Sequence, residues 1–367
     1  MREKSTAKRK KKAGVPAVVP TPLSARDASF AVDLLAWYRQ HGRHELPWQG
    51  ATDPYCRWVS EIMLQQTVVK TVIPYYRFFL TKWPTVRDLA KANLDQVLHA
   101  WQGLGYYARA RNMYKCAKLV SNEFGGIFPD TEDGLLQLPG IGPYTAAAIA
   151  AIAFGRKTSP VDGNIERVMS RLFAVEDFLP AAKPRLRKLA GSLTPNQGAG
   201  DHAQALMDLG ATICLSREPH CDHCPLNADC RGLKQGIAAE LPRRGPKVER
   251  PTRYGVAFCL LDDQGRILLR RRPEEGLLGG MMEVPSTPWR GNPWRKNQIA
   301  IHSPFETQWR KMSENVMHTF THFGLELTIM TGSGWRAAQA DEVWQPADAL
   351  GDLALPTVMK KVLQKAL

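Results

Sequence analysis

The chain has 367 residues, 23% of them charged, and its 49 Lys and Arg outnumber its 35 Asp and Glu to give a net charge of +14. That length is too great for one ordinary core and predicts two or three domains, and the excess of positive charge favours a polyanionic partner. No run approaches the roughly 18 apolar residues of a membrane span, the N-terminus lacks a signal-peptide core, and seven cysteines argue against a disulfide scaffold, so a cytoplasmic protein that does not engage membranes is expected.

The first 26 residues read as a disordered tail, with Arg2, Lys4, Lys8, Arg9, Lys10, Lys11 and Lys12 set against Glu3. Such a tail attracts phosphate without sequence preference, or simply solubilises the chain. Residues 27–42 show apolar positions at helical spacing with Gly42 as a stop, and His44 to Trp48 form a non-helical connector carrying an aromatic.

A helix is predicted from Ser60 to Val69, and in it Glu61 falls among Val59, Ile62, Met63 and Leu64. A carboxyl seated against apolar neighbours has its charged form disfavoured, which suits a general acid working near neutral pH. On pattern alone Glu61 could equally lie on the polar side of an amphipathic helix. Gln65, Gln66 and Thr67 follow, uncharged polar groups able to enter a base stack or bond base edges. Helices are predicted at 86–100 and 108–121, bracketing Trp101 to Tyr107. In that loop two glycines beside two tyrosines present an aromatic face, and Arg109 and Arg111 next to it suit phosphate contacts.

The stretch from Leu138 to Arg167 opens with Leu-Pro-Gly-Ile-Gly, where Gly140 and Gly142 permit positive φ. The helix from Thr145 to Phe154 is small and apolar enough to be buried, and the amides at its start would point at a phosphate. Asp162, in Val-Asp-Gly-Asn, lies where the chain leaves that helix. A glycine turn between two core helices with an Asp cap would account for the stretch taken alone.

Further helices are predicted near 184–193 and 202–213. Then Cys214, Cys221, Cys224 and Cys230 cluster as C-x6-C-x2-C-x5-C, a spacing that points to a metal site without deciding between zinc and an iron–sulfur cluster. Cys56, Cys116 and Cys259 are scattered and read as structural. Residues 241–252 are rich in Pro and basic residues and read as a linker. Beyond them the pattern alternates: two apolar runs flank Asp263-Gln264-Gly265 as a hairpin, another strand is predicted at 324–332, and a helix at 356–366 closes the chain.

From about residue 27 to its end the chain resembles the adenine DNA glycosylases of the MutY type, within the endonuclease III superfamily of helix-hairpin-helix glycosylases. The resemblance is carried by LPW at 46–48, WVSEIMLQQT at 58–67, GLGYYARARN at 103–112, LPGIGPYTAAAI at 138–149, VDGN at 161–164, MDLGA at 207–211, the four clustered cysteines, and GLLGGMMEVP at 276–285. It implies a multidomain fold: an all-α glycosylase domain over 27–240, with a six-helix part at about 48–160 and an iron–sulfur part at about 27–47 and 161–240, then an α+β Nudix-like domain over 253–367. The implied activity is hydrolysis of the N-glycosidic bond of adenine mispaired with 8-oxoguanine or guanine in duplex DNA, by a monomer in base excision repair.

The resemblance also assigns roles. Protonated Glu61 would donate to N7 of the flipped adenine, ionised Asp162 would stabilise the oxocarbenium-like sugar, Tyr144 would hydrogen-bond near Glu61, and Asn164 would position the acid or the water. Trp48 and Gln49 would line the adenine pocket, Leu64 would contact DNA or the base, Gln65, Gln66, Thr67 and Tyr106 would enter or read the stack, and Gly140 and Gly142 would approach the backbone. Cys214, Cys221, Cys224 and Cys230 would hold a 4Fe-4S cluster that keeps the loop containing Arg217 against DNA. The lyase relatives have Lys where this chain has Tyr144, so hydrolysis without strand cleavage is implied. The lesion-reading loop is Phe320-Thr321-His322, with Thr for the family's Ser. Residues 286–298, STPWRGNPWRKNQ, have no glutamate to hold Mg²⁺, which argues against nucleotide pyrophosphate hydrolysis. The nearest rival is a glycosylase of the same fold acting on oxidised pyrimidines or G·T mispairs; Tyr144 and the C-terminal domain argue against the pyrimidine enzymes, and the presence of both Glu61 and Asp162 argues against a lesion sensor without chemistry.

Overall fold

The computed structural model describes residues 27–246 and 249–367, so the basic tail read at 1–26 lies outside the described residues. Helix α1 (Asp27–His41) leads into α2 (Pro54–Leu64), α3 (Val69–Lys82), α4 (Val86–Lys91), α5 (Leu94–Ala100), α6 (Ala108–Glu123), α7 (Glu132–Leu136) and α8 (Pro143–Phe154). These are followed by α9 (Gly163–Leu172), α10 (Lys183–Leu193), α11 (Ala199–Thr212) and the short α12 (Arg231–Lys234).

Local chemistry sets where these helices start and stop. Asp53 caps α2 by accepting from the Tyr55 amide, and Pro54 sits at the first helical position, where its missing N–H costs nothing. The helix predicted from Ser60 to Val69 in fact ends at Leu64, because Gln66 turns the chain with φ +57° before α3 begins at Val69. The helix predicted at 86–100 is two helices, each begun by a capping box, Thr85 with Asp88 and Asn93 with Gln96.

Arg109 explains the sharp end of α2. Its guanidinium donates to the carbonyls of Ile62, Met63 and Gln65 at 2.6–2.9 Å, and to those of Leu104 and Gly105 in the next loop. Those carbonyls have lost their helical partners, and a buried cation satisfies them. Arg109 is therefore not the phosphate contact expected from the sequence. Arg111 is not one either, since it donates to the Gly279 carbonyl of the C-terminal domain at 2.6 Å.

The buried side chains gather into three cores. One lies beneath α2 to α8 and includes Trp58, Phe79 and Trp101; a second joins α1 to α9, α10 and α11 around Leu34, Met169 and Leu206. Between them α8 and α11 pack closely, and α2 packs on α8. Gly210 makes the neighbouring contact of α11 with α9 possible, for a Cβ there would meet the Asn164 Cβ at 2.6 Å. A cleft opens between the two helical groups.

The third core is the C-terminal domain. Strands β1 (Thr252–Leu261), β2 (Arg266–Arg271) and β3 (Met282–Glu283), helix α13 (Lys296–Ile299), strands β4 (Arg310–Lys311), β5 (Val316–Thr319), β6 (Gly324–Ser333) and β7 (Glu342–Pro346), and helix α14 (Thr357–Ala366) follow in order. The expected hairpin joins β1 to β2, while β1 and β6 pair in parallel from Thr252 opposite Gly324 to Leu261 opposite Ser333. The order β3-β2-β1-β6-β4 is completed by β7 on β2 and β5 on β6. Residues Met281 and Ala354 of this domain join the core beneath α2 to α8, so the sheet domain is docked on the helical one.

Candidate active site

A cavity of about 670 Å³ occupies the cleft. Helix α2 brings Glu61 to it, α8 brings Tyr144, and the start of α9 brings Asp162 and Asn164. Trp48 and Gln49 from the connector, and Leu64, Gln65, Gln66 and Thr67 from the turn after α2, complete one wall. Trp48 also belongs to the core, meeting Tyr76 edge-to-face at 5.5 Å. Of the two readings open for it, core packing and pocket lining, both hold.

Glu61 is 2% exposed, so it does not lie on a solvated face. Burial pushes its pKa up, against the opposing pull of Arg57 and of a hydrogen bond from Tyr144. The Arg57 Nη1 stands 3.5 Å from Glu61 Oε1. The Tyr144 hydroxyl also faces the Met207 Sδ at 3.9 Å.

Asp162 is the N-cap of α9. Its Oδ1 accepts from the Ile165 amide at 2.8 Å and its Oδ2 from Asn164 Nδ2 at 2.9 Å. Arg167 Nη2 in turn holds Asn164 Oδ1 at 3.0 Å, fixing the amide that fixes the acid. Burial raises the Asp162 pKa as well, so burial alone does not give the split between a neutral Glu61 and an ionised Asp162. What distinguishes the two is their partners. Asp162 is met by backbone amides, the Asn164 amide and the Arg167 charge at a helix N-terminus, all of which favour its anion.

Other expected residues lie outside this cavity. Gly140 has φ +78° and sits so close to Asn112 that a Cβ would meet the Asn112 Cβ at 2.6 Å. Gly142, expected to share the positive φ, instead caps α8 in extended geometry at φ −95°, because the turn needs only one left-handed residue. No side chain caps the first amides of α8, and the space where a Gly142 side chain would stand is open.

A second cavity, of about 560 Å³, lies between the helical and sheet domains and brings together Tyr106, Phe320, Thr321 and His322. Gln65 and Gln66 line both cavities, so the turn after α2 separates them. Tyr106 is 46% exposed while Tyr107 is buried, and the Tyr106 hydroxyl lies 2.8 Å from Thr321 Oγ1. Phe320 is held at the tip of the β5–β6 hairpin by Phe323, at a ring distance of 4.9 Å, and His318, at 4.7 Å.

The four clustered cysteines line one apolar cavity walled by Val168, Leu172 and Leu209. Among the described residues no three His, Cys, Asp or Glu side chains converge on a point as a single ion requires. The buried Arg171 donates to Cys214 Sγ at 3.3 Å and to the backbone carbonyls of Leu215 and Leu241, so a cation faces the thiols. Four thiols with a cation beside them form a donor set that suits a thiolate-bound, anionic metal centre. Arg217 is exposed on the loop between Cys214 and Cys221.

In the sheet domain Glu283, the glutamate of GLLGGMMEVP, is 2% exposed and held between Arg270, at 2.6 Å, and Arg272. Its carboxylate is consumed by that pair. Among the cavity residues that the sequence reading missed are Arg43, Arg57, Gln204 and Asp208. Arg43 grips Asp208 with its amide, Nε and Nη2 at 2.6–2.8 Å, and Arg57 Nη2 donates to Gln204 Oε1 at 2.6 Å. Of these four only Asp208 had a sequence signal, as part of MDLGA.

The family model for HhH-GPD superfamily base excision DNA repair proteins matches residues 59–195, and that for the NUDIX domain matches 256–365. The chain is 34% identical to the adenine DNA glycosylase of Homo sapiens over 93% of its own length and 74% of that protein. It is also 34% identical to that of Buchnera aphidicola subsp. Baizongia pistaciae, over 92% of its length and 96% of that protein. Among solved structures, a thermostable thymine-DNA glycosylase superposes with a TM-score of 0.52 at 30% identity, covering 57% of this chain and 97% of that one.

Proposed function

Because the chain belongs to the adenine DNA glycosylase family, we propose that it removes adenine mispaired with 8-oxoguanine or guanine in duplex DNA, by hydrolysis and without strand cleavage. The observation that carries this reading is the buried Glu61 facing Asp162 and Tyr144 across one cavity large enough for a base. The coupling of that cavity to the one holding Tyr106 and the 320–322 loop, through Gln65 and Gln66, supports recognition of the opposite base at the same time.

A stacked adenine cannot reach a carboxyl 2% exposed, so the base is flipped out, and the few kcal/mol of unstacking is lower at a mispair. Gln66 and Tyr106 fill or wedge the gap. Glu61 gives its proton to N7, and the C1′–N9 electron pair leaves with the base, which departs neutral. The sugar becomes oxocarbenium-like, and the Asp162 carboxylate, held by the Ile165 and Asn164 groups, stabilises that positive charge. Water adds its oxygen to C1′ and returns a proton to Glu61. Tyr144, carrying no amine, offers no route to a Schiff base, so the product is an abasic site.

The open amides at the start of α8, beside Gly140 and Gly142, suit a DNA phosphate. Cys214, Cys221, Cys224 and Cys230 would hold a 4Fe-4S cluster, which would tie the loop carrying Arg217 to α9 and leave the chemistry to the carboxyls. The Thr321 hydroxyl would meet 8-oxoguanine from the opposite side. The enzyme would act as a monomer in the cytoplasm, and no described helix is long and apolar enough to cross a membrane.

The test is single-turnover cleavage of a duplex with one A·8-oxoguanine pair, with and without alkali. Strand breaks should appear only after alkali, and Glu61→Gln should slow them by about 10²-fold or more. Breaks without alkali would reveal a lyase, and a Glu61→Gln rate within about tenfold of wild type would remove Glu61 as the acid.

A further inference from the structure

Arg57 lies one helical turn before Glu61 and is itself 2% exposed. A buried guanidinium is costly unless its donors are used, and its planar fork ordinarily takes a carboxylate through two bonds near 2.8 Å. In the same cavity Arg43 meets Asp208 closely, its Nε and Nη2 both donating to Oδ1 at 2.6–2.8 Å. Arg57 meets Glu61 less closely. Its Nη2 is spent on the Gln204 amide oxygen at 2.6 Å, its Nη1 stops 3.5 Å from Glu61, and its Nε has no partner among the described residues. Gln204 belongs to α11, so a neighbouring element takes the shorter of the guanidinium's two contacts, and the one to the acid is long.

We propose that Arg57, held by Gln204, is a positioning residue that sets how readily Glu61 parts with its proton, an inference resting on the reading of Glu61 as the acid. A cation in full contact would keep Glu61 ionised, leaving nothing to donate. With no cation, the dry pocket would make the carboxylate left after donation too costly. At 3.5 Å the guanidinium stabilises that carboxylate without forming it beforehand. It faces Oε1. The other groups facing Glu61 are Tyr144 from α8, which favours the anion, and Asp162 ahead of α9, which opposes it.

The test is the pH dependence of single-turnover adenine release in wild type, Arg57→Met, Arg57→Lys and Gln204→Leu, with folding and DNA binding checked for each. The alkaline limb marks loss of the Glu61 proton. Arg57→Met should move that limb to higher pH by about one pH unit or more, the effect of removing an opposite charge at this range, and lower the plateau. Arg57→Lys should bring the limb back toward wild type. Gln204→Leu should release the guanidinium onto Glu61 and move the limb the other way, to lower pH. A limb unmoved in a folded, DNA-binding Arg57→Met, or moved upward in Gln204→Leu, overturns the proposal. If Arg57→Met fails to fold, the direction of the Gln204→Leu shift decides. No adenine release from wild type at any pH would instead overturn the enzymatic reading, and this inference with it.

Discussion

Asp162 carries two duties that one substitution separates. Its side chain caps α9 through the Ile165 amide, and its carboxyl lines the cavity with Glu61, where the proposed mechanism uses it as an anion. Asn caps a helix about as well as Asp, so Asp162→Asn should leave the melting temperature within about 2 °C of wild type. It removes the anion, however, and the rate of adenine release should fall by about 10²-fold or more, as for loss of one preorganised electrostatic group. Thermal melting beside a single-turnover assay checks both halves, and a rate loss that merely tracked the melting temperature would reduce Asp162 to a cap. Both carboxyls were legible in the sequence, Glu61 because a charge interrupts an apolar run and Asp162 because it follows a helix and a turn. Arg57 and Gln204 were not, since their contact spans 147 positions and exists only once α11 has folded over α2.

At the scale of elements, the packing of α11 on α1 buries a titratable group. His202 is 1% exposed against Phe30, and neither ring nitrogen has a hydrogen-bond partner among the described residues. Burial pushes its pKa down from 6.5 to about 4. Above pH 6.5 the ring is neutral in both the folded and the unfolded chain and adds no pH dependence. As the pH falls from 6.5 to about 4, the unfolded chain takes up a proton that the folded one refuses, so stability drops by up to about 3 kcal/mol. Urea melts of wild type and His202→Met across that window should show the mutant losing markedly less stability on acidification; parallel curves would mean that the ring is hydrated. Element boundaries were legible only in part. Thr85 with Asp88 and Asn93 with Gln96 are sequence signals that split 86–100 into two helices, but apolar periodicity running through them hides the break. The early end of α2 had no local signal, because Arg109, which satisfies its last carbonyls, arrives from more than 40 positions away.

For the whole molecule, the shift from helical to alternating pattern after residue 252 made a second domain visible, and the parallel pairing of β1 with β6 stayed hidden because nothing local distinguishes it from a meander. How that domain docks was hidden too, and the docking decides whether the 320–322 loop meets the same DNA as Glu61. Asp95 and Arg271 form an exposed ion pair across the interface, which contributes little. Arg111 differs, being 8% exposed and donating to the Gly279 carbonyl at 2.6 Å. A buried hydrogen bond from a charged donor is worth about 1.5–3 kcal/mol, so Arg111→Met should weaken docking by about ten- to a hundredfold. Small-angle X-ray scattering should then report a larger radius of gyration. On the proposed function, adenine release opposite guanine should hold near wild type while any rate advantage opposite 8-oxoguanine should shrink, because Thr321 no longer stands beside Tyr106. An expanded molecule that kept its full preference would mean that the helical domain reads the lesion by itself, through Gln65 and Gln66 where they border the second cavity.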